Sequence, residues 1–156
     1  MRHRRRGRTL GRCPSHQRAL LKNLASSLLL TEGDTEDDDN EPKVKGRIIT
    51  TLQKAKEVRP LVEKSITLAC RSNALRNDAK SHGTDAARGT EQWRAWRKSD
   101  KWKQWAKAVA PAVALQRRLL VMLGDKKAVK VLLDEVAPRF ADRPGEVSVV
   151  WLGWRI

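Results

Sequence analysis

Arg2, His3, Arg4, Arg5, Arg6, Arg8 and Arg12 crowd the opening of the chain, with His16, Arg18 and Lys22 close behind. A guanidinium is a planar fork that donates in pairs to phosphate oxygens and also stacks on nucleobases, so this density of arginine calls for a polyanion. Residues 1–30 hold eight Arg or Lys side chains and no Asp or Glu, which an ordinary solvated tail explains poorly. Gly7 and Gly11 allow the backbone to turn or to approach a partner closely. His3 and His16 can hydrogen-bond or stack. A segment with no core to bury can enter a gap between RNA helices and become ordered there. Each phosphate neutralised releases counterions, so affinity should fall with salt at a log–log slope of about −0.7 to −0.9 per contact.

Two smaller basic groups follow. Lys54, Lys56 and Arg59 stand at the start of an expected second helix, where the helix terminus itself favours phosphate. The same residues also fit a solvated helix face with Glu57 and Glu63 as partners. Arg139 and Arg143 flank Phe140 after the last expected helix, where they could touch RNA or a neighbour, or cap carbonyls. Four tryptophans alternate with basic residues in EQWRAWRKSDKWKQW, the pattern of a base-stacking surface. The plainer reading, preferred here, is that these rings pack their segment onto the domain.

Other chemistry is not indicated. Cys13, His16 and His3 lack partners at spacings that would complete a four-ligand metal site. The Asp37-Asp38-Asp39 run lacks the spaced ligands and closing glutamate of a calcium loop. There is no phosphate-binding glycine loop, dinucleotide fingerprint or nucleophile elbow. The expectation is a protein that is not an enzyme, with no cofactor, no metal and no small-molecule substrate.

The whole chain of 156 residues carries a formal net charge of +15 and fits a single domain. That excess suits a nucleic acid better than a membrane, since no apolar run approaches the roughly 20 residues a span requires. No apolar stretch follows the N-terminal arginines, so a secretory signal is not expected. Two cysteines, Cys13 and Cys70, make no disulfide framework and suit reduced thiols in the cytoplasm.

These groups must be positioned by a small set of elements. Residues 1–14 are expected to form a basic extended arm, with Ser15 capping a helix from His16 whose apolar pairs Leu20/Leu21, Leu24/Ala25 and Leu28/Leu29 recur every four residues. Residues 31–46 hold seven acids and two lysines and read as an acidic flexible insertion. The β-branched run 46–51 predicts a strand. A helix follows over 52–70, with Ala55, Val58, Val62, Ile66 and Ala69 inward and a kink or restart at Pro60. Residues 73–110 read as a Lys- and Trp-bearing insertion. Helical spacing returns from Pro111, stops at Gly124, restarts from Asp125 as N-cap and runs to about Ala137, with Val129, Leu132, Leu133 and Val136 inward. Residues 146–154 predict a closing strand after a Pro144-Gly145 turn.

The opening RHRRRGRTLGRCPSHQRALLKNLASSLL, the block ITTLQKAKEVRPLVEKSITLA and the closing APRFADRPGEVSVVWLG resemble, in order, the bacterial large-subunit ribosomal protein seventeen family. The resemblance implies an α+β fold: a two-layer α/β domain with N-terminal helix, strand, further helices and a C-terminal strand, preceded by the basic arm. It implies a structural constituent of the large ribosomal subunit in the bacterial cytoplasm. The partners implied are large-subunit ribosomal RNA and neighbouring ribosomal proteins, with no membrane. The chain departs from the family pattern in its acidic loop, in its expansion at 73–110, in His16-Gln17-Arg18 where a histidine-arginine pair is usual, and in stopping one strand early. A sheet short of a strand exposes unpaired backbone, so either a partner completes it or this copy is divergent or truncated. The alternative to the ribosomal reading is a non-ribosomal basic RNA-binding or RNA-chaperone protein.

Overall fold

Two long helices, α2 (Leu52–Ala79) and α4 (Asp100–Leu123), lie antiparallel and form the body against which everything else packs. The computed structural model describes residues 7–33, 42 and 44–141. Before α2 comes α1 (Pro14–Leu30); between α2 and α4 come a single 3-10 turn (Lys80–His82) and the short α3 (Glu91–Lys98). After α4, helix α5 (Lys126–Val131) widens into a π turn at Leu132–Val136 and closes with one more turn, α6 (Ala137–Arg139).

The expected α+β, two-layer domain is not what the structure contains: its described residues are helical, with no strand or sheet among them. The predicted strand at 46–51 forms no strand among the described residues. Gly46 turns the chain at φ +69°, and Thr51 at φ −75°, ψ 147° caps α2. β-Branched residues favour extended backbone, but a strand also needs a neighbour to share its hydrogen bonds, and none lies alongside among the described residues. Ile48 packs against the core while Ile49 is 86% exposed. The other predicted strand, 146–154, lies outside the described residues.

The inward stripe of α2 falls where its spacing predicts. Val58, Val62, Ile66 and Ala69 are fully buried, and Ala55 is half-buried. They meet Ala25, Leu28 and Leu29 of α1, Leu119 and Leu123 of α4, and Ala128, Leu132 and Val136 from the last segment. Neither internal proline breaks its helix: Pro60 and Pro111 are both exposed, so the carbonyl each leaves without an N–H partner can turn to water. Farther along, the α2–α4 seam is lined with small residues. Ser72 and Ala112 are buried, and the Ser72 hydroxyl donates to the Ala112 carbonyl at 3.3 Å. This close approach carries α2 on to Ala79 and starts α4 at Asp100, so much of the expected 73–110 insertion extends the two long helices.

Helix ends are fixed by specific groups. Cys13, not Ser15, occupies the N-cap of α1, with Pro14 in the first turn where its missing N–H costs nothing. Gly124 ends α4 at φ +79°, donating to the Leu120 carbonyl at 2.8 Å, and the Asp125 carboxylate accepts from the Lys127 N–H at 2.8 Å to start α5. Both follow the predicted punctuation. Two α2 side chains donate to carbonyls at and just after the π turn, one of which, Ala137, also accepts from the Phe140 N–H at 3.1 Å. The Asn73 amide donates to the Leu133 carbonyl at 2.7 Å, and the Cys70 thiol to the Ala137 carbonyl at 3.4 Å.

Two substitutions separate backbone from packing contributions. Nothing stands within 4 Å of a Cβ built on Gly124, so Gly124→Ala should cost only the left-handed backbone, about 1–2 kcal/mol. Ile66→Ala, opening a void in a fully buried position, should cost about 2–5 kcal/mol. Chemical denaturation of both variants checks the order, and a costlier glycine change would contradict it.

Candidate nucleic-acid interface

Apart from Lys54 and Lys56 at the start of α2, the residues expected to meet RNA divide into three groups according to what their side chains already do. Arg2, His3, Arg4, Arg5, Arg6 and Arg143 lie outside the described residues. Arg8, Arg12, His16 and Arg18 are exposed around the start of α1. Lys22, Arg59 and Arg139 are engaged in internal contacts.

The described part of the arm is folded rather than extended. Leu10 at φ +54° and Gly11 at φ +65° are both left-handed, and the Arg12 N–H returns to the Thr9 carbonyl at 3.1 Å. Successive positive φ values with this hydrogen bond make a tight turn, strained at Leu10 because that residue carries a Cβ. The Gln17 side chain then donates to the Arg8 carbonyl, pinning the turn to the first turn of α1. Gly7, at φ +92°, sits so that an added Cβ would be 3.1 Å from the Glu57 carboxylate. Gly7 therefore lies beside the N-terminal end of α2, where Lys54 is half-buried and Lys56 exposed.

Arg12 reaches one turn forward and donates to the His16 ring at 3.1 Å, which holds both side chains on one outer surface. Among the described residues, Arg8, Arg18, Lys54 and Lys56 have no ion-pair partner. The Arg12–His16 pair and Arg18 thus stand free at the start of α1, and Lys54 and Lys56 at the start of α2, with Gly7 beside Glu57.

The engaged cations do structural work. Lys22 extends its ammonium to the Val121 carbonyl at 2.7 Å, near the carboxyl end of α4 where the helix dipole favours a positive charge. Arg59 pairs with Glu63 one turn along α2 at 2.8 Å. Arg139 meets Glu32 at 2.6 Å, tying α6 to the end of α1; the Glu32 side chain is only 12% exposed. Sequence spacing reveals the Arg59–Glu63 pair but neither long-range contact, because each joins helices far apart in the chain.

Sequence reasoning missed a further basic surface. Arg76, Arg117, Lys126 and Lys130 line an open groove between α2, α4 and α5, together with Val113, Leu120, Val129 and Leu133. Its only signal in the sequence is an ordinary charged helix face. Among the described residues no cluster of His, Cys, Asp and Glu could hold a metal ion, and no helix is long and apolar enough to cross a membrane.

The sequence model of the family described as Ribosomal protein L17 matches residues 20–152. The chain is 59% identical over 145 residues to the large ribosomal subunit protein bL17 of Rhodopirellula baltica, covering 93% of this chain and 69% of that protein. It is 33% identical over 151 residues to the bL17 of Thermomicrobium roseum, covering 97% and 84% of the two chains. With the bL17 of Fervidobacterium nodosum the identity is 29% over 156 residues, covering 99% and 89%.

The division between free and engaged cations is measurable without RNA. Lys22→Met should lower stability by about 1 kcal/mol through the lost carbonyl contact, whereas Arg18→Gln should stay within about 0.5 kcal/mol of the parent. Equal effects in denaturant titration would contradict the distinction. The two thiols should differ as well. Hydrogen bonds from Ser15 and the His16 backbone hold the exposed Cys13 thiol below its ordinary pKa, while burial raises that of Cys70. At neutral pH iodoacetamide should therefore label Cys13 first, as peptide mapping of a time course would report.

Proposed function

The chain belongs to the Ribosomal protein L17 family, and from that premise we propose that it is a structural constituent of the bacterial large ribosomal subunit, binding and stabilising ribosomal RNA. The observation that carries this reading is the ordered match over residues 20–152, joined to an acid-free basic stretch over residues 1–30. The partners are ribosomal RNA and adjacent large-subunit proteins, and the working compartment is the bacterial cytoplasm. The role is structural, with no reaction assigned to any residue. A non-specific RNA chaperone would account for the charge but not for that ordered match, and is not favoured.

In detail, the arm residues Arg2, His3, Arg4, Arg5, Arg6, Arg8 and Arg12 track phosphates, and His16 and Arg18 extend that track onto the first turns of α1. Lys54 and Lys56 add cations from the start of α2, near the Gly7 backbone, where an added Cβ would stand 3.1 Å from the Glu57 carboxylate. Arg59 and Arg143 lie at the margins of this surface in the proposal. Lys22 and Arg139 act mainly by holding α1 in place, so that the surface is rigid when RNA arrives. A surface ordered in advance loses less entropy on binding, which is why internal cations serve recognition without touching RNA.

Co-sedimentation with large subunits after a high-salt wash tests the proposal, and a chain found only in the supernatant would refute it. Arg8→Gln combined with Arg12→Gln should weaken binding to large-subunit RNA. The salt slope should shrink by about 0.7 to 0.9 for each phosphate contact removed. An unchanged slope would take these two residues off the interface.

A further inference from the structure

At the end of the molecule away from the arm, four tryptophans are sorted by their contacts into two pairs that cross between α3 and α4. Trp96 and Trp105 meet edge to face with ring centroids 5.6 Å apart, and the Trp96 indole N–H donates to the His82 carbonyl at 3.2 Å. Trp105 also lies against Gly83, 3.8 Å from where a Cβ would stand. This pair fastens α3 and the 3-10 turn to α4. Trp93 and Trp102 have a different neighbour. The Arg97 guanidinium lies over both rings, 5.1 Å from the centroid of Trp93 and 5.9 Å from that of Trp102.

Arg97 is exposed, both rings are half-exposed, and α3 contributes no buried residue to the core. The two indoles, gathered by one guanidinium, therefore form a half-exposed, π-rich surface outside the buried core. Around it the charge is one-sided. Over residues 91–107 the cations Arg94, Arg97, Lys98, Lys101, Lys103 and Lys107 are all exposed, against Glu91 and Asp100. Asp100 is already paired with Lys103 at 2.9 Å.

We propose that this Trp93–Arg97–Trp102 surface is a second RNA contact, separate from the arm, which takes an unpaired nucleobase by stacking while the surrounding lysines and arginines hold its flanking phosphates. The choice of RNA as occupant rests on the ribosomal reading above, and the surface specifies the form of RNA. A base has a π face whatever its identity, so stacking on an indole or a guanidinium plane selects single-stranded or bulged nucleotides without selecting sequence. An acidic protein neighbour would use the cations but would leave the two indoles gathered by Arg97 unexplained.

The test uses the full chain and two short RNA probes, an oligoadenylate and an abasic oligomer of equal length that keeps the phosphates and lacks bases. Trp93→Ala with Trp102→Ala should weaken oligoadenylate binding by about 5- to 150-fold, the range expected for one lost base–aromatic stack. Binding of the abasic oligomer should not change. Trp93→Phe with Trp102→Phe, which keeps a π face, should restore much of the loss. Equal affinity of parent and alanine variant for oligoadenylate would overturn the proposal. So would a loss shared by both probes, a failure of phenylalanine to rescue, or a fall in helix content by circular dichroism. Variants that bind RNA normally yet wash off large subunits would assign the surface to a protein neighbour. Failure of the parent chain to sediment with large subunits would instead strike the ribosomal reading, so the two can fail separately.

Discussion

The carboxyl end of α4 is the point on which the arrangement of this molecule turns. The last carbonyls of any helix lack intrahelical partners, and here three of them are served from named groups. The Gly124 N–H takes Leu120, the Lys22 ammonium takes Val121, and the buried Ser26 hydroxyl takes Leu123 at 2.9 Å. Two of those three donors come from α1. The interaction that completes α4 is thus the one that fixes α1 on the core. Glu32–Arg139 secures the far end of the same helix.

Much of the helical plan was legible because it depends on local periodicity. The stripe Val58, Val62, Ile66 and Ala69 follows from spacing alone, as do the stop at Gly124 and the restart at Asp125. The strand at 46–51 was misread because pairing is not a local property: Arg47, Ile48, Ile49 and Thr50 favour extended backbone whether or not another segment lies beside them. The long extent of α2 and α4 was obscured because their outer halves meet through Ser72, Ala79 and Ala112. Such small residues register weakly in a hydrophobic pattern yet allow close helix packing.

The candidate interface was legible in composition and only partly in detail. An acid-free run marks a cationic surface, but no sequence rule says that Lys22 would turn inward to a carbonyl 99 positions away or that Arg139 would find Glu32. The tryptophans carried the opposite lesson. Packing and stacking were weighed for the set as a whole, whereas the fold divides them, with Trp96 and Trp105 serving one purpose and Trp93 and Trp102 available for another.

The unbroken run of α2 through Pro60 has a mechanical consequence. At 1.5 Å of rise per residue, 28 residues extend about 40 Å, and α4 braces the rod along most of that length. Gly7 marks one tip and His82 the other. The paired helices are therefore a stiff rod whose ends stand about 40 Å apart. Groups carried at the two tips are thereby held at a set distance, which no break at Pro60 shortens.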